Sequence, residues 1–316
     1  MYYLGNAIEG LSGSWFVTLI GVYSVTADIN DKSHSRTLGM VLINTLQNIA
    51  QSSSAIVTGN VIKQWGFFPA NCILASFMVL ALFSVVLTLP ETSPIPTGKS
   101  ANPIKNLKKL FNFYLFEGTG WERLAYIGLL TLFSTAVIVD LVADGIDTLY
   151  QLHRPFCWSS TTIGYFLSYK KTFQLVSAAL LLKLLQRWNI SGAVIAQVAM
   201  LFYAGQWVFE GLADTSWQLF LVPVVGFSGT LTVPTIRSLM SFKAGPHHQG
   251  AIFGSICIVE TAMSFTGNSI FNTIYSNTVD TFNGAAYLAM AGFSFTTFVL
   301  FFVYHFIDSR TVKEVK

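Results

Sequence analysis

The chain has 316 residues, of which 53% are hydrophobic and 10% charged, with a formal net charge of +3. Soluble domains carry roughly 25% charged residues, so this chain has too little polar surface to cover itself in water, and a soluble globular fold is excluded. The three cysteines, Cys72, Cys157 and Cys257, are scattered without a C-x-x-C pair, which removes a zinc ribbon or a thioredoxin-like site.

Crossing a bilayer takes about 20 apolar residues. Nine such segments are predicted, at 14–29, 38–62, 69–90, 124–147, 161–186, 190–211, 217–238, 249–275 and 283–307. The expected fold class is therefore all-α, a multi-pass bundle of about nine transmembrane helices. Between the first two segments, Asp28 and Arg36 in "ADINDKSHSRT" either bridge the two spans or sit in a solvated turn. The second segment is the most polar, and its Asn44, Asn48 and Gln51 are spaced by four and three, on one helix face. Such a span survives only where its polar face meets protein or water. Its amides suit a solute of mixed polarity, and serve equally well for hydrogen bonds between helices.

One long hydrophilic stretch follows the third segment. It opens "PETSPIPTGKSANPIKNLKK", where prolines interleaved with Ser, Thr and Gly read as a linker. Its later part, "NLKKLFNFYLF", reads as a short amphipathic helix on the membrane surface. The organisation expected is a three-span partial bundle over 1–90, a cytoplasmic linker over 91–123, a six-helix bundle over 124–307 and a cytoplasmic tail over 308–316. Placing the linker inside and alternating outwards leaves only Lys63 and Arg154 on the exterior, against fourteen Lys and Arg on the cytoplasmic side. That asymmetry supports both the span count and the orientation.

The fourth segment carries "AVIVDLVADGIDTLY", with Asp140, Asp144 and Asp147 on one helical face. A charge at the bilayer centre costs about 3 kcal/mol on insertion scales, so Asp140 needs a partner or a water-filled cavity. Asp144 and Asp147 lie progressively nearer the exterior, within reach of water. Lys170 and Lys171 stand at a comparable depth in the fifth segment. Two readings stay open: an ion pair locking two helices, or an acidic stripe that binds a proton or cation. Arg237 closes the seventh segment in "VPTIR", after Pro223 and Pro234, which permit a bend. It is either a cytoplasmic anchor or a fixed partner for a solute carboxylate. Glu260, in the eighth segment, is another intramembrane acid.

No Ser–His–acid set, HExxH or basic-aromatic groove is visible, so neither an enzyme nor nucleic-acid binding is expected. "SPIPTGKS" has Ser93 where a phosphate loop needs its first glycine, and His247 and His248 lack further ligands. No metal or cofactor is expected.

Four stretches carry a resemblance. "GLSGSWFVTLIGVYSVTADINDKSHSRTLGM", "DTLYQLHRPFCWSSTTIGY" with "LLLKLLQ", "VPTIRSLMSFKAGPHHQGAIFGSI" and "GNSIFNTIYSNTVDTFNGAAYL" resemble successive regions of the proton-coupled folate transporter family, solute carrier family 46. The resemblance implies the major facilitator plan of two six-helix halves, with the first three spans absent from this chain. It also implies proton-coupled transport of a folate-like or other bulky organic anion. The family's arginine near the end of the tenth span is retained as Arg237. A glutamate of the folate-transporting members matches Asn44, a histidine matches Asp140 and a lysine matches Asn283. These departures put folate itself in doubt. The expected function is a secondary transporter working by alternating access, whose partners are a small organic solute, protons and the bilayer. The alternative is a truncated, non-transporting membrane protein of the same fold. The expected location is the plasma membrane, with the lysosomal membrane as the alternative.

Overall fold

A backbone in hydrocarbon must satisfy its own hydrogen bonds, and the helix does so within one segment. The computed structural model describes residues 18, 21–22, 25, 33–88, 110, 112–116, 118–188, 190–244 and 249–314, and all of its regular structure there is helical. In chain order the helices are α1 (Ser33–Trp65), α2 (Phe67–Thr88), α3 (Gly120–Leu152), α4 (Ser160–Arg187) and α5 (Gly192–Gly211). After them come α6 (Ser216–Val225), a short 3-10 turn (Gly229–Leu231), α7 (Thr232–Ala244), α8 (Gln249–Thr278) and α9 (Ala285–Glu314).

Among the described residues, α2, α3, α5 and α9 are long and apolar enough to cross a membrane, and the bent pair α6 and α7 makes a fifth candidate. Helices α1, α4 and α8 are as long but more polar. On α8 the reason is an exposed row of Thr261, Asn268, Asn272 and Ser276. The segment expected at 14–29 lies almost wholly outside the described residues.

Local chemistry sets the ends. Helix α3 starts before the apolar run because Thr119 and Glu122 form a capping box: Thr119 N–H donates to the Glu122 carboxylate over 2.8 Å, and Glu122 N–H donates to Thr119 Oγ1 over 3.3 Å. Ser191 caps α5 in a similar way, accepting from Val194 N–H. The α6–α7 span bends by 43° at residues 226–228. Pro223 lies inside α6. A carbonyl exposed by the break, that of Phe227, accepts from Ser177 Oγ over 2.8 Å.

The chain forms two compact units. The first comprises residues 1–100 and 157–172, the second residues 101–156 and 173–316. In the first, α1 meets the start of α4 backbone to backbone. A Cβ built on Gly59 would stand 2.6 Å from Ser160 O, and one on Gly164 would stand 2.5 Å from Ala55 O. Ser160 Oγ donates to Gly59 O over 3.2 Å across the same contact. Helix α2 exposes Phe77, Met78, Leu82 and Val86 around its circumference, as suits a helix immersed in lipid.

In the second unit α9 packs on α5 and α3, and α8 packs on α3. Gly267 of α8 lies against Ile138 and Val142 of α3 with no room for a side chain. Residues 112–116 form a helical turn that docks onto this unit. Phe113 and Tyr114 are buried, while Leu115 and Phe116 are exposed. Tyr114 Oη lies 2.7 Å from Ser255 Oγ of α8, and burial pushes the phenol up while that bond works the other way. The surface helix read in "NLKKLFNFYLF" is thus a docked turn where it is described; Lys105, Lys108 and Lys109 fall outside the described residues.

Candidate functional site

The three aspartates do share a face of α3, as the spacing predicts, but they meet different surroundings. Residues one and two turns away from Asp140 on that face, Phe133, Ala136, Val137 and Ala143, are buried. Asp140 and Asp144 are nonetheless exposed. Leu149, half a helical circumference from Asp140 at about 100° per residue, is exposed on the opposite side with Leu152. Apolar side chains there suit lipid, so the opening at Asp140 and Asp144 is a separate, polar one. Tyr203 of α5, itself buried, donates its hydroxyl to Asp140 Oδ1 over 3.2 Å.

Asp147 corrects the sequence reading. It was expected near water; it is fully buried, and the buried Tyr287 of α9 donates to its Oδ1 over 2.9 Å. The reason is that the helical offset gives the direction of a side chain and not what covers it. Here α9 closes over that turn of α3. Trp207 of α5 stacks on the Tyr287 ring at 5.9 Å, and Tyr150 meets the same ring edge-on at 4.9 Å. Tyr150 Oη in turn donates to Ala213 O over 2.9 Å. Glu210, also fully buried, ends α5 beside these rings.

Two turns along α3 from Asp140, towards its start, the Arg237 guanidinium stands 5.5 Å from the centroid of the Phe133 ring. Arg237 Nη2 donates to Glu260 Oε1, so α7 and α8 are joined by an ion pair. The Glu260 side chain is only 4% exposed and that of Arg237 24%. The structure therefore brings together two residues that the sequence suggested separately.

The broken span forms the neighbouring wall. Gly229 packs against the Tyr203 ring and Gly226 against the Gln206 amide, and neither has space for a Cβ. Gln174 Nε2 donates to Gln206 Oε1 over 3.3 Å, both side chains being buried. Ser228 Oγ and Gln206 Nε2 are buried without a hydrogen-bond partner among the described residues.

The remaining predicted residues belong to the first unit or lie outside the description. Lys170 is buried, its Nζ 6.0 Å from the Phe166 ring centroid, and Lys171 is half-buried. On α1, Asn48 is half-buried and Gln51 exposed. Asn44 and Arg36 lie in α1, but their side chains are outside the described residues, as is Asp28 entirely. Among the described residues no group of three His, Cys, Asp or Glu could hold a metal ion. Tyr203, Gln206, Glu210 and Tyr287 went unread in the sequence. The acid in "QWVFEGL" was a usable signal, since it lies at the end of an apolar run like the aspartates.

Residues 1–268 match the family model of the Major Facilitator Superfamily. The chain belongs to the major facilitator superfamily. Like other proteins of this transporter superfamily it is an integral membrane protein. It is 26% identical over 295 residues to the lysosomal proton-coupled steroid conjugate and bile acid symporter of Gallus gallus, which covers 92% of this chain and 63% of the relative. It is also 26% identical over 304 residues to the proton-coupled folate transporter of Rattus norvegicus, covering 95% of this chain and 64% of that protein. These relatives bear out the resemblance to solute carrier family 46. The superfamily chain described here spans less than two thirds of their length.

Proposed function

We propose that the protein is a secondary transporter that carries an organic anion together with protons by alternating access, and that Arg237 and Glu260 couple the two. The ion pair between them supports this reading most directly. A guanidinium is always charged and fits a carboxylate in a two-pronged geometry. Half-buried and paired with the buried Glu260, it forms a neutral unit. A solute carboxylate that takes Glu260's place on Arg237 leaves an uncompensated buried charge, which is costly. A proton on Glu260 removes that charge, so anion and proton are accommodated together and released together. The relatives' names supply the solute panel: folate, a steroid conjugate and a bile acid. Asn44, Asn48 and Gln51 are proposed to meet the neutral part of the solute, Lys170 and Lys171 to add positive charge, and Asp28 with Arg36 to gate.

The test is uptake of each labelled solute into vesicles holding the protein, with and without an inward proton gradient. Gradient-driven uptake is expected for the wild type. Glu260→Gln should leave exchange of solute across the membrane but uncouple it from the gradient, and Arg237→Gln should lose both. Undiminished, gradient-driven uptake by Arg237→Gln would sink the proposal.

A further inference from the structure

Resting on that reading, we infer that Phe133 is a positioning residue for the anion: its ring face holds the Arg237 guanidinium while Glu260 and the solute exchange on it. Side chains from three helices meet here, Phe133 from α3, Arg237 from α7 and Glu260 from α8. The guanidinium carbon stands 5.5 Å from the ring centroid, inside the limit of about 6 Å for attraction between a cation and the negative face of a ring. Phe133 is fully buried and Glu260 nearly so. Withdrawal from water strengthens such a contact. The Arg237 side chain keeps part of its surface exposed, which leaves room for a solute carboxylate to reach it. The ring and the carboxylate differ as partners. A proton neutralises Glu260 and a solute carboxylate takes its place, but neither displaces or titrates a benzene ring. Once neutral, Glu260 anchors the guanidinium less firmly, because a hydrogen bond between two ionised groups is stronger than one that has lost a charge. The ring then keeps the cation in place. The incoming anion meets a guanidinium that is already ordered, so its binding does not carry the cost of fixing a long side chain. An aliphatic side chain fills the same space and offers no such face. Arg310 over Phe306, at 5.2 Å, supplies the contrast: both side chains are exposed near the end of α9, away from the proposed site.

The experiment replaces Phe133 in the full chain with 4-fluoro-, 3,5-difluoro- and 3,4,5-trifluorophenylalanine. Each added fluorine drains charge from the ring face and nearly keeps its shape. The probes are radiolabelled cholate and folate, both carboxylates, and Kd is obtained by titration of the protein in lipid nanodiscs. Kd should rise at each step and be about tenfold weaker for the trifluoro ring. Melting of the solute-free protein should change little along the series, because Glu260 holds the guanidinium there. Phe133→Leu should weaken binding about as much as the trifluoro ring, and it carries the test if the fluorinated chains do not fold. With Arg237→Gln and Glu260→Gln together, which strand no charge, the series should become flat, since no cation remains for the ring to hold. The same series at Phe306 should be flat throughout. A Kd indifferent to fluorination, in a protein whose binding the Arg237 and Glu260 pair of changes still weakens, overturns the role of the ring and leaves the anion proposal intact. A loss at Phe306 equal to that at Phe133 does the same. Absence of binding by both probes, or binding indifferent to the pair of changes, overturns both.

Discussion

The hydroxyl of Tyr287 donates to the carboxylate of Asp147 over 2.9 Å, with both side chains fully buried between α3 and α9. A hydrogen bond to a charged group contributes about 1.5–3 kcal/mol, and stranding a buried acceptor costs on a similar scale. Tyr287→Phe and Asp147→Asn are therefore expected to lower the stability of the purified protein by about 1–3 kcal/mol each, seen as a lower melting temperature. Uptake per folded molecule should change little, since the pair is sealed from the opening at Asp140. Wild-type melting of Asp147→Asn would remove the structural role assigned here.

The ion pair of Arg237 and Glu260 carries the opposite signature, in which stability and transport separate. Removing one partner of a buried pair costs about 3–5 kcal/mol because it leaves a lone charge. Glu260→Gln and Arg237→Gln should each melt early, and the double variant should recover much of the loss. Uptake should not recover with it. A double-mutant cycle on melting, run beside vesicle uptake, reads both. If the double variant transports normally, the pair is a structural fastening.

Much of the helical frame was legible because hydrocarbon leaves the chain few options. The apolar runs at 69–90 and 190–211 lie within two residues of α2 and α5 at each end. The prolines at 223 and 234 announced a bend that the structure has. Less legible was anything set by a neighbouring helix. Asp140 and Asp147 are equivalent in spacing, yet one is exposed and the other is covered by α9. No one-dimensional pattern states which turn of a helix its neighbour covers. Arg237 and Glu260 could be named but not joined, because α7 and α8 are brought side by side only by tertiary packing. Tyr203 and Tyr287 read as ordinary aromatic members of apolar runs, and only the fold shows what their hydroxyls reach.

In the first unit α1 and α4 approach closely at Gly59 and Gly164. Each lies against a backbone carbonyl of the other helix, which has no rotamer to yield. Small residues at such contacts allow helices in a membrane to pack closely. Gly59→Ala and Gly164→Ala should each push α1 from α4 and destabilise by about 1–3 kcal/mol, the usual cost of overpacking. Gly292→Ala is the control, because a Cβ there meets nothing within 4 Å. It should be neutral or slightly stabilising in the same melting assay.

The last expectation concerns Gly229, which touches no solute and should still control transport. Its Cα lies against the ring of Tyr203, and a Cβ would collide with ring carbons at a buried position. The Tyr203 ring also meets Trp207 edge-on at 5.0 Å, so it has little freedom to retreat on that side. Gly229→Ala must therefore move the tyrosine, the broken segment, or both. Moving the tyrosine takes its hydroxyl away from Asp140, which is what Tyr203→Phe does without any crowding. The two variants should share one defect in the vesicle assay, a raised KM for the transported solute, with Gly229→Ala also melting earlier. Adding Tyr203→Phe to Gly229→Ala should then cost little further transport, because the hydrogen bond is already lost. Full additivity of the two effects would show that the glycine acts through the hinge of the α6–α7 span, independently of Tyr203 and Asp140.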